Sequence, residues 1–235
     1  MLEFGANRVL STLGYELRDR VLAERPEGFP GYLEAAQRLG MDVNDYEEQI
    51  LGWRLPRPTL DEIVFPYIGL ESIVCEIGPG TGRWSRHLAE RVPYGELHLV
   101  DASPWMVRFL RSYFRQLPYV QAHLSDGQSL PFERNGWMDL IFSANTLVEL
   151  KLGVIHLYAQ HFARVLKPGG YVVVDYVDPT TDEGWQHLLT QGADMAPVYT
   201  FHAPEVIDRV FASAGVRTER RHQVGKSTFV IARRV

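Results

Sequence analysis

The stretch CEIGPGTG, Cys75 to Gly82, places three glycines between an apolar run and an amphipathic one. Upstream, SIVCEIG is continuously apolar apart from one acid, as expected of a parallel strand covered on both faces. Downstream, Trp84, Leu88 and Val92 recur at intervals of four, which gives Arg83 to Val92 a single apolar helical face. Strand, glycine turn and helix in this order form the opening unit of an open α/β sheet. Glycines in such a turn let backbone amides approach a ligand closely.

The remaining chain repeats the alternation. ELHLVDAS predicts a second strand, after which Ser103 caps a helix starting at Pro104, where a missing amide donor costs nothing. VQAHLSD and WMDLIFSAN predict the third and fourth strands, Val154 to Leu166 a helix closed by KPGG, and YVVVDYV the fifth strand. A last helix starts at Pro204 and stops near Gly215, and strands at Val216 to Val224 and Ser227 to Arg233 complete the pattern. The predicted fold is a doubly wound, mainly parallel, seven-stranded Rossmann-like sheet with helices on both faces. Residues 1–70 instead read as helical pieces, a cap preceding a catalytic domain over 71–235. In the cap, PEGFPG at Pro26 to Gly31 predicts a turn, Asn44 with Glu47 predicts a capping box opening a helix over Asp45 to Leu51, and Pro56 and Pro58 predict its end.

Composition narrows the functional classes. The chain has 235 residues, 46% hydrophobic, with a net charge of -5. Its basic residues are dispersed, and the one dense run, Arg217 to His222, reads as an exposed strand face, so a phosphate-tracking surface is not expected. Cys75 stands alone and inside a strand, which excludes an internal disulfide or a cysteine metal cage and predicts a buried thiol. No apolar run approaches a membrane span, and the N-terminus lacks a signal-peptide core, so a cytoplasmic protein is expected.

The turn has GxGxG spacing in place of the dinucleotide GxGxxG. Glu76 at its mouth would repel a pyrophosphate but attract a ligand with cationic groups. Asp101 ends the second strand, where a carboxylate can accept from both ribose hydroxyls, and Asp126 with Gly127 follow the third strand, placed to receive an adenine amino group. EIGPGTG, Asp101, SDGQSLPF at Ser125 to Phe132 and LKPGG at Leu166 to Gly170 together resemble class I S-adenosylmethionine-dependent methyltransferases, over about Ile73 to Val235. The resemblance implies that the glycine turn holds the methionine part, the second-strand acid the ribose and the third-strand acid the adenine. The implied cofactor set is Glu76, Gly78, Pro79, Gly80, Trp84, Asp101, Ala102, Asp126, Gly127 and Asn145.

At the end of the fourth strand FSANTLVEL lacks the Asn/Asp-Pro-Pro-aromatic tetrad of nucleic-acid amino-methylating relatives, so a small-molecule acceptor is expected and no nucleic-acid partner. SANTLVEL with LKPGG also resembles sugar and small-metabolite O-methyltransferases. A hydroxyl acceptor must lose a proton, and Glu149, His156, Asp178 and His202 are the candidate bases, with His202 preferred for its ordinary pKa. Some relatives use a divalent metal, but Asp175 and Asp178 should face opposite sides of their strand, so none is favoured. Trp53, Arg54 and Arg57 are candidates to line a cap over the site. The alternatives are a non-catalytic S-adenosylmethionine-binding sensor or partner subunit, an N-methyltransferase of a small amine and, more remotely, a nicotinamide oxidoreductase.

Overall fold

The computed structural model describes residues 29–191 and 199–235; the remainder of the expected cap, and the start of the PEGFPG turn, lie outside the described residues. Strand β1 (Ile73–Ile77) lies in the middle of the sheet because its apolar residues face both ways. Val74 belongs to one buried cluster and Cys75 to the other, the two-residue alternation of a pleated strand. β1 pairs in parallel with β2 (Glu96–Asp101) and β4 (Met138–Ser143). β3 (Val120–Leu124) pairs with β2, and β5 (Leu166–Val177) with β4, again in parallel. β6 (Val216–Val224) and β7 (Ser227–Arg234) form an antiparallel hairpin whose second strand joins β5. The order is β3-β2-β1-β4-β5-β7-β6, so the expected seven-stranded, mainly parallel sheet is present.

Helices cover both faces. In chain order they are α1 (Phe29–Arg38), α2 (Val43–Gln49), α3 (Pro56–Ile63), α4 (Ser85–Arg91), α5 (Pro104–Tyr113), α6 (Leu152–Val165), α7 (Asp182–Thr190) and α8 (Pro204–Ser213). On one face Tyr158 and Phe162 of α6 and Phe211 of α8 pack against Ile141, Val172 and Val174. Phe162 is fully buried, so truncation to alanine would cost about 3–5 kcal/mol. On the other face Leu88 of α4, Leu110 of α5 and Leu60 and Ile63 of α3 pack against Val74, Leu97, Leu99 and Phe142. The Ser103 cap is as expected: its side chain accepts from the Met106 amide, with Pro104 opening α5. Cys75 is fully buried, and the Arg217 to His222 run lies on edge strand β6, mostly exposed or half-buried.

Several local expectations are corrected. Phe29 to Gly31 begin α1 and do not form a turn. Asp42, not Asn44, caps α2: its carboxylate accepts from the Asn44 amide at 2.8 Å, which places Asn44 inside the helix and frees Glu47 from a capping role. Pro56 and Pro58 start α3, since the first helical turn has no internal use for their missing donors. KPGG does not close α6. That helix ends where Leu166 turns extended, and Lys167 to Gly170 bulge out of β5, so Met138 pairs with Leu166 but Leu140 with Tyr171. Helix α7 was not expected, although Thr181 caps it and Asp182 and Glu183 occupy its first turn.

Candidate active site

The glycine turn follows β1 at the carboxyl edge of the sheet. Gly78 (φ 66°), Gly80 (φ 56°) and Gly82 (φ 85°) all adopt left-handed backbone, the conformation only glycine reaches without strain. The Gly78 amide donates to the Val100 carbonyl at 2.9 Å, and a side chain at Gly78 would sit 2.0 Å from Thr146 Oγ1, so turn and β4 loop are packed closely. At Gly80, by contrast, a Cβ would meet no atom within 4 Å.

That open space belongs to a cavity of about 560 Å³. Gly78, Pro79, Gly80, Thr81 and Trp84 line it from the glycine turn, Ala144, Asn145, Thr146 and Glu149 from the segment after β4, and Tyr199, Lys226, Ser227 and Phe229 from later in the chain. The N-terminal section closes it with Tyr32, Glu47, Trp53 and Arg54. Trp84 is held by tilted contacts to Phe142 at 5.4 Å and Phe229 at 6.4 Å. α2 is tied over the turn by charge: Arg86 donates to Asp45 at 2.6 Å and to Glu48 at 2.8 Å. Arg83 reaches the Arg54 carbonyl at 2.6 Å, and its guanidinium lies over Trp53 and Trp84.

The expected cofactor residues divide into two groups. Gly78, Pro79, Gly80, Trp84 and Asn145 line the cavity. Glu76 is not at the mouth of the turn: it is 1% exposed, beneath it, and accepts from Ser85 Oγ at 2.5 Å at the start of α4. Burial pushes its carboxyl up to about 8, although the Ser85 hydroxyl and Arg83 pull it down. Asp101, Ala102, Asp126 and Gly127 follow β2 and β3 on the same sheet edge but outside the cavity wall. Asp101 accepts from the Ser103 amide at 2.8 Å. Asp126 accepts from the amides of Gln128 and Ser129 and from Ser129 Oγ, at 2.8–2.9 Å. Partial burial raises the Asp126 pKa, but these three donors outweigh it and hold the carboxyl below its usual range. Asn145 has φ 58°, rare for a residue with a side chain, and its amide donates to both carboxylate oxygens of Asp175 at 3.0 Å.

Of the four expected bases, Glu149 alone lines the cavity. His202 does not reach it. Its ring nitrogen lies 3.1 Å from Thr200 Oγ1, and burial lowers its pKa. Asp178 is turned inward, accepting from the Thr180 amide and hydroxyl at 2.8 and 2.7 Å, and His156 is exposed on α6. Arg57 also stays outside, paired with Asp61 at 2.9 Å, whereas Trp53 and Arg54 are among the residues that line the cavity. Asp175 is buried beneath the Asn145 loop and shares its carboxylate with Ser227 Oγ at 2.8 Å, its pKa pushed up to about 6 by burial. No cluster of three metal-ligating side chains occurs among the described residues.

Sequence reasoning missed Glu47, Thr81, Arg83, Tyr199 and Lys226 as cavity residues. Thr81 stands inside the glycine motif itself and Arg83 directly follows it, so both could have been found there. The others come from distant segments: Thr81 Oγ1 donates to Glu47 at 2.9 Å, and Lys226 Nζ donates to the Tyr199 hydroxyl at 3.1 Å. No local pattern announces either pairing.

Residues 74–170 match the family model described as a methyltransferase domain. A search of the curated proteins gave no match. Among solved structures, the chain is similar to an S-adenosylmethionine-dependent methyltransferase from Aquifex aeolicus, at 24% identity and TM-score 0.57, over 86% of this chain and 98% of that one. It is similar to geranyl diphosphate C-methyltransferase from Streptomyces coelicolor A3(2), solved with Mg2+, geranyl-S-thiolodiphosphate and S-adenosyl-L-homocysteine, at 15% identity and TM-score 0.60, over 77% and 75%. A third is a chain of the Haloferax volcanii complex between the Trm112 methyltransferase activator and a methyltransferase, at 17% identity and TM-score 0.65, over 82% and 94%. These likenesses agree in the sheet, and the family match spans the glycine turn and the bulged KPGG segment at its two ends. Over residues 74–170 the chain matches a methyltransferase domain, and the solved structures it resembles share its fold.

Proposed function

We propose that the protein transfers the methyl group of S-adenosylmethionine to a hydroxyl of a small metabolite, sugars included, leaving S-adenosylhomocysteine. The observation that carries this reading is a cavity of about 560 Å³ lined both by the glycine turn and by Glu149, Tyr199 and Lys226. Its size is in the range of small-molecule sites. The solved relatives bound to S-adenosylhomocysteine or S-adenosylmethionine support the cofactor, and the geranyl diphosphate enzyme is a relative with a small acceptor.

The cofactor supplies a methyl group on a sulfonium, open to direct displacement. The protein's part is alignment and proton transfer. Gly78, Pro79, Gly80 and Trp84 shape the donor end, and the N-terminal helices exclude water over it. Glu149 accepts the proton of the acceptor hydroxyl as the O–C bond forms and the C–S bond breaks, so charge balances as the sulfonium becomes a neutral thioether. We assign residues up to about 70 to a cap and the rest to the catalytic domain, with Asp101 and Asp126 serving the ribose and adenine ends from the adjoining edge. A cytoplasmic setting suits the free Cys75, and among the described residues no helix is long and apolar enough to cross a membrane.

The test is methyl transfer from donor labelled in the methyl group to a panel of sugars, phenols, amines and carbon nucleophiles. Label in an ether product, lost with Glu149→Gln, is the expected result. Label only in amine or carbon products would replace the hydroxyl reading, and no transfer to any class would favour a binding-only role.

A further inference from the structure

The sequence assigns the cationic end of the ligand to Glu76, which the structure buries beneath the turn. A different carboxylate lies where that charge is needed. Glu47 of α2 is 2% exposed, yet it lines the cavity beside Gly78, Pro79, Gly80 and Thr81. Its Oε2 accepts from Thr81 Oγ1, a residue of the glycine turn itself, at 2.9 Å, and lies 3.7 Å from Arg83 Nε. No described residue donates to Oε1. The Arg83 guanidinium, with 10% of its side chain exposed, spends one nitrogen on the Arg54 carbonyl and stacks between Trp53 and Trp84.

We propose that Glu47 receives the α-ammonium of the cofactor's methionine end, with the adjacent Arg83 facing the α-carboxylate. The inference rests on the S-adenosylmethionine reading above and adds to it a ligand from outside the sheet domain.

Three observations support the assignment. The opposite charges of Glu47 and Arg83, 3.7 Å apart in the cavity wall, complement a zwitterion whose own charges are separated by a similar span. Next, Glu47 is short of positive charge. Burial drives its carboxyl up to about 7, assisted by Glu48 and Asp42, although Thr81 and Arg83 pull it down. An arriving ammonium would supply the missing cation. Finally, α2 is anchored: Arg86 clamps Asp45 and Glu48 on either side of Glu47, which fixes the carboxylate over the turn before any ligand arrives. A purely structural role would leave a buried carboxylate half-protonated at neutral pH for one hydrogen bond that a glutamine could also accept.

The test compares two probes in calorimetric titrations of the full chain: S-adenosylhomocysteine, and 5′-methylthioadenosine, which keeps the adenosine and thioether but lacks the amino-acid end. Glu47→Gln is expected to weaken S-adenosylhomocysteine by about ten- to a hundredfold, the loss of one charge-assisted hydrogen bond, and to leave 5′-methylthioadenosine within about twofold. Equal weakening of both probes, or of neither, overturns the proposal, since it would show that Glu47 only holds the cap. If wild type binds neither probe, the cofactor reading itself fails. Should the variant not fold, wild type alone decides. At pH 7, binding of S-adenosylhomocysteine should release about half a proton, read from buffers of different ionisation enthalpy, while 5′-methylthioadenosine releases none. Equal proton release with the two probes also overturns the assignment.

Discussion

Replacing Gly80 by alanine separates what the glycine turn does for the fold from what it does for a ligand. At φ 56° an L side chain is strained, at a cost of about 1–2 kcal/mol. Nothing in the protein adds to that, because the new methyl meets no atom within 4 Å and projects into the cavity. Gly78 is the control. Its φ of 66° imposes the same strain, but its methyl would lie 2.0 Å from Thr146 Oγ1 and 2.6 Å from Cγ2. Overpacking of that kind adds about 1–3 kcal/mol, for a total of about 2–5. Urea denaturation should therefore find Gly80→Ala modestly and Gly78→Ala severely destabilised. Calorimetry with S-adenosylhomocysteine should find Gly80→Ala at least about tenfold weaker, although the variant stays folded. Unchanged affinity in Gly80→Ala would refute the claim that this turn is the cofactor's contact surface. Equal stability of the two variants would refute the packing of the turn against Thr146.

Four further outcomes follow from the same geometry. Glu149→Gln should lower kcat by about 10²–10⁴-fold with little change in donor KM, while His202→Ala stays within a few-fold of wild type; initial-rate kinetics on the acceptor found by methyl labelling would show the reverse if His202 were the base. Glu76 has a folded pKa of about 8, above its unfolded value, so its contribution is complete below about pH 4.5 and disappears as pH rises through 8. The stability of Glu76→Gln relative to wild type should accordingly rise by about 4 kcal/mol from pH 4.5 to 9, and a flat difference in denaturation midpoints would show Glu76 to be ionised. His123 is depressed to about 4 by burial, with His98 and Arg111 adding to the effect, so its contribution is present above pH 6.5 and lost as pH falls through 4. His123→Gln should lose less stability than wild type over that window, by about 2 kcal/mol in thermal denaturation, and parallel acid limbs would contradict this. Arg86→Met should loosen α2 and weaken S-adenosylhomocysteine more than it weakens 5′-methylthioadenosine, whereas equal effects would mean that α2 does not serve the methionine end.

The elements legible in the sequence were those set by short-range rules. The alternation of Val74 and Cys75 between two cores marks β1 as a central strand, and Ser103 before Pro104 marks a helix start by backbone chemistry alone. Where two local rules compete, the reading failed. Prolines can end one helix or begin another, and Pro56 and Pro58 begin α3 because Leu60 and Ile63 then reach the core. Asp42 outcompeted Asn44 as a cap, which released Glu47 to face the glycine turn 34 residues away. The glycine-turn part of the cavity was readable because one contiguous motif builds it. The part lined by Glu149, Tyr199 and Lys226 was not, because they converge from three segments, and ring pKa alone favoured a His202 that the fold turns toward Thr200.

The most direct test of the account is a calorimetric titration of the full chain with S-adenosylmethionine, followed by competition with S-adenosylhomocysteine and with NADH. The account predicts one binding site per chain, full displacement by S-adenosylhomocysteine and no effect of NADH. Absence of binding, or displacement by NADH, would contradict it.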